Sequence, residues 1–229
     1  MRTDVLMVDD EEALASSTCE YLTTFGVTAT AVTTAEEALE FLQHNEAALI
    51  LLDVNLPGMN GFEFCRTVRR RAATPILFIS ARDSDDDQIL ALGVGGDDYI
   101  AKPYSLAVLH AKVRRILDRH ATEPIPPTPG YDDGRLRLDP EAERVWVDGK
   151  EVPTTALEYR LLAHLVANRG RVVPKREIFE KVWGDAITGD GTLTVHIRRL
   201  RTKIEADPDN PRHLRTVWGR GYLFEGREP

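Results

Sequence analysis

The sequence predicts a two-domain chain. An α/β domain on a doubly wound, five-stranded parallel sheet comes first, and an α+β domain of helices and short antiparallel strands follows it. Three observations carry this reading. The first half alternates short apolar or β-branched runs with stretches of helical spacing, the second half places a striped basic helix before a glycine-rich hairpin, and prolines crowd the junction. A length of 229 residues suits two cores of ordinary size.

In the first half, residues 5–8, 27–32, 49–52, 76–79 and 99–101 read as strands buried on both faces. Helical spacing fills the gaps: Leu14, Thr18, Tyr21, Leu22 and Phe25, then Ala38, Leu39, Phe41 and Leu42, then Phe62, Phe64, Cys65 and Val68. A fourth helix surrounds Ile89 and Leu92, and a fifth Leu109, Val113 and Ile116. Alternation of this kind implies right-handed crossovers and a site at the carboxyl ends of the strands.

That edge is chemically loaded. Asp9 and Asp10 follow the first strand, Asp53 the third, Ser80 the fourth and Lys102 the fifth. Three carboxylates in one pocket repel unless a divalent cation and a lysine neutralise them. An all-oxygen set of few ligands suits Mg²⁺, which keeps several waters and accepts a phosphoryl oxygen. Asp53, central and opening the loop DVNLPGMNG, is the candidate phosphoacceptor, with Lys102 and Ser80 placed to stabilise phosphoryl charge. Singly, each residue has an ordinary reading. Asp9 to Glu12 suit a helix start, Asp53 a turn, Ser80 a cap and Lys102 a surface charge. Together they require five coincidences on one edge.

Composition narrows the classes. With 42% apolar and 29% charged residues the chain is neither disordered nor fibrous. Its apolar runs, such as 47–52, fall far short of the roughly 20 residues of a membrane span. The first residues lack a signal-peptide pattern, so a cytoplasmic location with no membrane partner is expected. Cys19 and Cys65, distant and in apolar helical contexts, read as core residues. The net charge of −8 is unevenly shared: residues 1–123 hold 11 Lys+Arg and 20 Asp+Glu, net −9, and residues 124–229 hold 18 and 17, net +1. Pro124, Pro126, Pro127 and Pro129 mark the boundary as a semi-rigid linker.

In the second half, residues 136–138, 144–147 and 151–152 form a small antiparallel sheet, with Asp148-Gly149 as a hairpin turn. Thr155 and Glu158 form a capping box before Leu157, Leu161, Leu162 and Leu165. Pro174 opens a second helix through Ile178, Phe179, Val182 and Trp183, ending at Gly184. From about 192 to 205, Leu193, Ile197, Leu200 and Ile204 form one buried stripe. Val195, Arg198, Arg199 and Thr202 then point away from it, with Arg201 on one flank and His196 and Lys203 on the other. Such a face suits the DNA major groove, where Arg pairs with guanine and Val touches a thymine methyl. A solvated basic face is the ordinary alternative. Residues 213–226 read as two strands around Trp218-Gly219-Arg220-Gly221, a wing projecting Arg220 toward DNA.

The stretches VDDEE, LILLDVNLPGMNGFEF, ISAR and GGDDYIAKPYS resemble a response-regulator receiver domain of two-component systems. TALEYRLLAHL, GRVVPKREIFEKVW, TVHIRRLRTKI and LRTVWGRGYLF resemble the winged-helix effector of the OmpR/PhoB family. The resemblance implies a receiver at 1–120, a linker at 121–130 and a winged helix-turn-helix domain at 131–229. It implies a sensor histidine kinase phosphorylating Asp53, Mg²⁺ on Asp9, Asp10, Asp53 and the main chain of Asn55, Lys102 on the phosphoryl group, and a cis peptide before Pro103. It further implies a switch in which Ser80 moves toward the phosphoryl group and Tyr99 turns inward. By position, Val195 and Arg199 contact bases, and His196, Arg198, Arg201 and Thr216 contact backbone or flanks. Asp97, Asp98, Lys112 and Arg119 belong to the expected homodimer face. Double-stranded promoter DNA is the expected target, RNA polymerase a candidate partner, and catalytic turnover is not expected.

The chain departs from the family pattern at Gly191, Thr194 and Trp218, which bear on DNA docking. Gln88, Val108 and Lys112 stand where Lys, Glu and Arg are usual, so weaker or differently held dimers are expected. Two rival readings are an aspartyl-phosphate phosphatase, which lacks the second acid because Asn55 occupies its place, and a DNA-binding protein whose receiver is purely structural.

Overall fold

The computed structural model describes residues 2–82, 84–121, 130–184 and 190–226, without the side chains of 119–121 and 190. Contacts divide the chain into two compact units, separating between residues 123 and 124. The proline-rich linker expected at 121–130 falls almost wholly outside the described residues.

The first unit runs β1 (Arg2–Val8), α1 (Glu12–Thr24), β2 (Ala29–Val32), α2 (Ala35–His44), β3 (Glu46–Asp53), α3 (Gly61–Arg69), β4 (Ile76–Ser80), α4 (Asp85–Gly93), β5 (Asp98–Ala101) and α5 (Leu106–Ala121). Its five strands are all parallel, in the order β2-β1-β3-β4-β5. The two-residue period of a strand sorts the core. Leu6, Val8, Ile50, Leu52, Ile76 and Phe78 pack with Ala38, Phe64 and Cys65 on one face, and Val5, Met7, Leu49, Leu51, Leu77 and Ile79 pack with Leu22, Leu109 and Val113 on the other. Because the strands are parallel, β1, β3, β4 and β5 bring Asp9, Asp53, Ser80 and Lys102 to the same edge. Phe25, read as part of the first helix's stripe, instead follows α1 and is 51% exposed.

The second unit begins with a four-stranded antiparallel sheet, β6 (Tyr131–Asp132), β7 (Leu136–Asp139), β8 (Arg144–Val147) and β9 (Lys150–Val152). Asp148 and Gly149 both have positive φ (50° and 75°), the geometry of a tight hairpin turn. Helix α6 (Ala156–Ala167) opens with the expected capping box: Glu158 N–H donates to Thr155 Oγ1 at 3.3 Å, and Thr155 N–H to Glu158 Oε2 at 2.9 Å. After β10 (Val172–Val173), α7 (Lys175–Ile178) continues as a π-helical turn (Phe179–Trp183) to Gly184 at φ 75°. Helix α8 (Asp190–Ile204) and the hairpin β11 (Leu214–Val217) and β12 (Gly221–Phe224) complete the unit. β10 joins that hairpin in a three-stranded sheet. The two-residue strands β6 and β10 are too short to carry a periodicity of their own, and the sequence does not announce them.

One glycine bears directly on the sheet edge. A Cβ at Gly61 would lie 2.1 Å from the Asp53 carbonyl oxygen, so only hydrogen permits α3 to start against the end of β3. Gly61→Ala is expected to lower stability by roughly 1–3 kcal/mol in urea unfolding through overpacking. Gly93→Ala, whose added methyl meets open space, serves as the unaffected control.

Candidate functional site: an acidic pocket and a basic helix

The carboxyl edge of the parallel sheet gathers Asp9, Asp10 and Asp53, whose nearest carboxylate oxygens lie within 4.8 Å of one another. Asp9 and Asp53 are buried and Asp10 is exposed. Lys102 Nζ reaches in from the end of β5, 2.7 Å from Asp53 Oδ2, 2.9 Å from Asp9 Oδ2 and 2.7 Å from Glu11 Oε1. Backbone donors orient two of the acids: Asn55 N–H donates to Asp53 Oδ1 and Glu11 N–H to Asp9 Oδ1, both at 3.0 Å. Lys102 and Pro103 are joined by a cis peptide.

One ammonium among four carboxylates leaves the pocket short of positive charge. Burial raises the Asp9 carboxyl above its ordinary range despite Lys102. Burial also works against the Lys102 ammonium, but hydrogen bonds to Asp53, Glu11 and Asp9 outweigh it and hold the proton more tightly than usual. Asp9 Oδ2 is buried without a well-directed hydrogen bond, its ammonium contact aside. All-oxygen donors, uncompensated negative charge and a free buried lone pair together fit a hard divalent cation.

Ser80 is fully buried beside this pocket, its Oγ accepting from Arg82 N–H at 3.2 Å. Tyr99 is 8% exposed with its ring inward, and its hydroxyl donates to the Arg82 carbonyl. Arg82 also holds Asn55 Oδ1 through Nε at 3.1 Å.

In α8 the expected stripe is buried, with Leu193, Ile197, Leu200 and Ile204 all at 1% exposure or less. A second row turns inward beside it: Thr192, His196, Arg199 and Lys203 repeat the same spacing one residue earlier. His196 is fully buried with its ring 5.5 Å from that of Trp183, which corrects its expected place on the flank of the outer face. The expected outward orientation of Arg199 is corrected as well. Its guanidinium is 2.8 Å from Glu158 Oε1, and Lys203 Nζ is 2.5 Å from Oε2 of the same, fully buried carboxylate. The physical reason lies in what faces this row: the Trp183 ring receives the His196 imidazole, and the buried Glu158 carboxylate draws Arg199 and Lys203 toward the core. Thr194, Arg198 and Thr202 stay exposed and Val195 half-buried. Arg198 pairs with Asp209 at 2.5 Å in the open.

Arg201 braces the wing, donating from Nε to Leu214 O and from a terminal nitrogen to Thr216 Oγ1, both at 2.8 Å. Glu205, at the end of α8, accepts from the N–H groups of His213 (2.9 Å) and Leu214 (2.8 Å). His213 lies between Asp133 (2.8 Å from Nε2) and Glu205 (3.3 Å from Nδ1).

Two family models match: the response regulator receiver domain over residues 5–114, and the C-terminal domain of transcriptional regulatory proteins over residues 149–224. The sensory transduction protein RegX3 of Mycobacterium tuberculosis is 42% identical over 226 residues, covering 98% of this chain and all of that one. This chain is a response regulator of the OmpR/PhoB type. Transcriptional regulatory protein YvrH of Bacillus subtilis is 38% identical over 96% of the chain and 94% of its own length. Among solved structures, the Thermotoga maritima OmpR/PhoB homologue DrrB aligns over 99% of the chain and 100% of its own, at 30% identity and TM-score 0.52. A mutant of RitR aligns over 98% of the chain and 99% of its own at 27% identity and TM-score 0.75. The family consists of DNA-binding transcriptional regulators rather than an enzyme class, its members work with histidine kinases, and its receivers bind Mg²⁺ at an acidic pocket. No helix among the described residues is long and apolar enough to cross a membrane.

On the expected dimer face of the response regulator, Asp97 is committed inside its own unit. Its Oδ2 accepts from Arg69 (2.7 Å) and from Ile76 N–H (2.9 Å), which corrects its expected availability to a partner. Asp98 and Lys112 pair with each other, and the Arg119 side chain lies outside the described residues. Ile89, Leu90 and Val108 of α4 and α5 remain 45–48% exposed.

Sequence reasoning missed Glu11, Arg82 and the bridging role of Glu158. Only Glu158 left a signal, an acid among leucines that must be buried on the strongly apolar α6 and therefore needs a cationic partner. Its carboxyl is depressed because Arg199 and Lys203 overcome the penalty of burial. Glu158→Gln is expected to cost about 3 kcal/mol of stability in denaturant unfolding, as for a broken buried pair.

The wing anchor sets a pH dependence. Hydrogen bonding to Glu205 and then Asp133 raises the His213 pKa against burial. A raised folded pKa contributes stability fully below the unfolded value of 6.5 and loses it as pH rises through the folded value. Asp133 and Glu205, both held at about 2 by hydrogen bonds that outweigh burial, contribute above their ordinary values and lose that contribution as pH falls toward 2. The melting-temperature gap between wild type and His213→Gln should therefore narrow from pH 6 to pH 8.5. A constant gap would remove the ionic role.

Proposed function

We propose that this response regulator accepts a phosphoryl group on Asp53 from a sensor histidine kinase, dimerises in response and binds paired sites on double-stranded promoter DNA. The observation that supports this is Lys102 at 2.7 Å from Asp53 within a three-aspartate cluster, in a chain that also carries α8 and its wing. In the transfer, an Asp53 carboxylate oxygen attacks the phosphorus of the kinase's phosphohistidine, the P–N bond breaks and the imidazole leaves. Lys102 stays protonated and follows the charge onto the phosphoryl oxygens, and the Ser80 hydroxyl donates to one of them. Asp9, Asp10, Asp53 and the main chain of Asn55 would hold Mg²⁺, which when bound would supply electrostatic neutralisation of the phosphoryl oxygens. Once Ser80 moves toward the phosphate, the inward Tyr99 ring fills the space behind it and locks the active state.

The dimer forms on the α4–β5–α5 face, on the exposed Ile89, Leu90 and Val108, with Asp98, Lys112 and Arg119 at its edge. Asp97 shapes that face from inside through Arg69. The domains run 1–120 and 131–229 with a linker at 121–130, the protein works in the cytoplasm, and RNA polymerase is a further partner. On DNA, Val195 meets the major groove, Arg198 contacts the flanking backbone, Arg201 and Thr216 hold the wing and touch backbone, and Arg220 contacts DNA from the wing tip. Pairing two such domains multiplies a modest phosphorylation effect through effective concentration.

Sedimentation with Mg²⁺, before and after adding beryllofluoride as a phosphoryl mimic, tests the proposal. A monomer-to-dimer shift lost in Asp53→Asn is expected. A second reading, a receiver serving only as a structural module, is favoured by the inward position of Tyr99. Dimers that form equally in wild type and Asp53→Asn without the mimic would select it. In DNA titrations, Arg198→Ala is expected to weaken binding about equally on all duplexes and to reduce the salt slope by about 1. An effect confined to one base position would make Arg198 a base reader instead.

A further inference from the structure

Trp218 is the most exposed of the large apolar side chains described, at 90%, against 45–51% for the other four that are exposed. It stands at the tip of the β11–β12 hairpin. The turn is closed by Arg220 N–H donating to Val217 O at 2.9 Å, and Gly219 at φ 69° takes the third position, which demands positive φ. That geometry pushes the indole outward, beside the exposed Arg220.

The tip is held firmly. Leu214 and Phe224 are fully buried, and a Cβ at Gly221 would lie 2.1 Å from the Val173 carbonyl oxygen, so the hairpin is pressed onto β10. Arg201 ties Leu214 and Thr216 to α8, one helical turn beyond Arg198. A bare indole in water is unfavourable. Fixed at a rigid tip beside the cationic Arg220 and coupled through Arg201 to the basic helix, it suits a partner that is anionic outside and apolar between flat rings.

We propose that Trp218 is a DNA wedge: its indole enters the minor groove next to the α8 half-site and stacks at a base step, while Arg220 contacts the adjoining phosphate. This rests on the DNA-binding reading above and adds a source of specificity. Opening a step is easiest at pyrimidine–purine steps, so the wedge selects TA or CA/TG at a fixed distance from the bases facing α8 without any hydrogen bond to them.

The test uses the full-length protein with Mg²⁺ and beryllofluoride, selected against a random duplex library, as wild type, Trp218→Phe, Trp218→Ala and Trp218→Arg. An exposed tip residue leaves the fold intact, and equal melting temperatures verify this. Wild type and Trp218→Phe are expected to enrich a pyrimidine–purine step flanking a common half-site. Trp218→Ala should keep the half-site, lose the flanking preference and bind the selected duplex about tenfold more weakly, within the range for one stacked base. Trp218→Arg should exchange the flexible step for A·T-rich flanks. In parallel, the emission difference between wild type and Trp218→Phe, open to acrylamide in free protein, should be quenched by the duplex and shielded from acrylamide. Identical flanks in all four proteins, or an indole still open to acrylamide on DNA, would overturn the wedge while leaving DNA binding intact. Failure of all four to enrich any duplex would bring down the DNA-binding reading itself.

Discussion

Lys102 Nζ lies within 2.9 Å of Asp9 and Glu11, which follow β1, and of Asp53, which ends β3, and the geometry of the sheet edge turns on that shared contact. Without a cation, buried carboxylates this close together would favour protonation or separation. With one, they are held near each other but not neutralised. The deficit makes the pocket receptive to a hard cation. The same constraint explains the tight start of α3, because Gly61 must pass the Asp53 carbonyl for the loop to close around the pocket.

Much of this is legible in the sequence because it depends on periods and on strand ends. The alternation of Val5, Met7 and Leu6, Val8 between two helical layers follows from a two-residue repeat, and the positions of Asp9, Asp53, Ser80 and Lys102 follow from where each strand stops. The capping box at Thr155 and Glu158 is a local pattern and equally readable. Contacts decided by tertiary packing are not. A helical wheel gives the centre of the buried face of α8 but not what packs against its flank, so it puts His196 and Arg199 on the wrong side. Asp97 gives no hint of Arg69, 28 residues earlier, and strands of two residues have no repeat to detect.

The second unit solves a problem set by its own charge. A helix rich in Arg and Lys has to be fastened to an apolar core while keeping some cations outside. Two acids do this, Glu158 from α6 and Glu205 at the end of α8, each buried and each holding groups from another element. Between them, Arg201 points neither in nor out but along the surface to the wing. The basic residues thus fall into a structural set and a solvent set with little overlap.

The Glu158 carboxylate closes the start of α6 and grips two cations of α8 at once. The attitude of the helix is therefore settled by chemistry on its hidden side, independent of what the open side carries. Thr194, Val195, Arg198 and Thr202 are in that sense replaceable letters on a fixed typeface. Such a domain can drift to new DNA sequences by changing a few surface residues, without refolding.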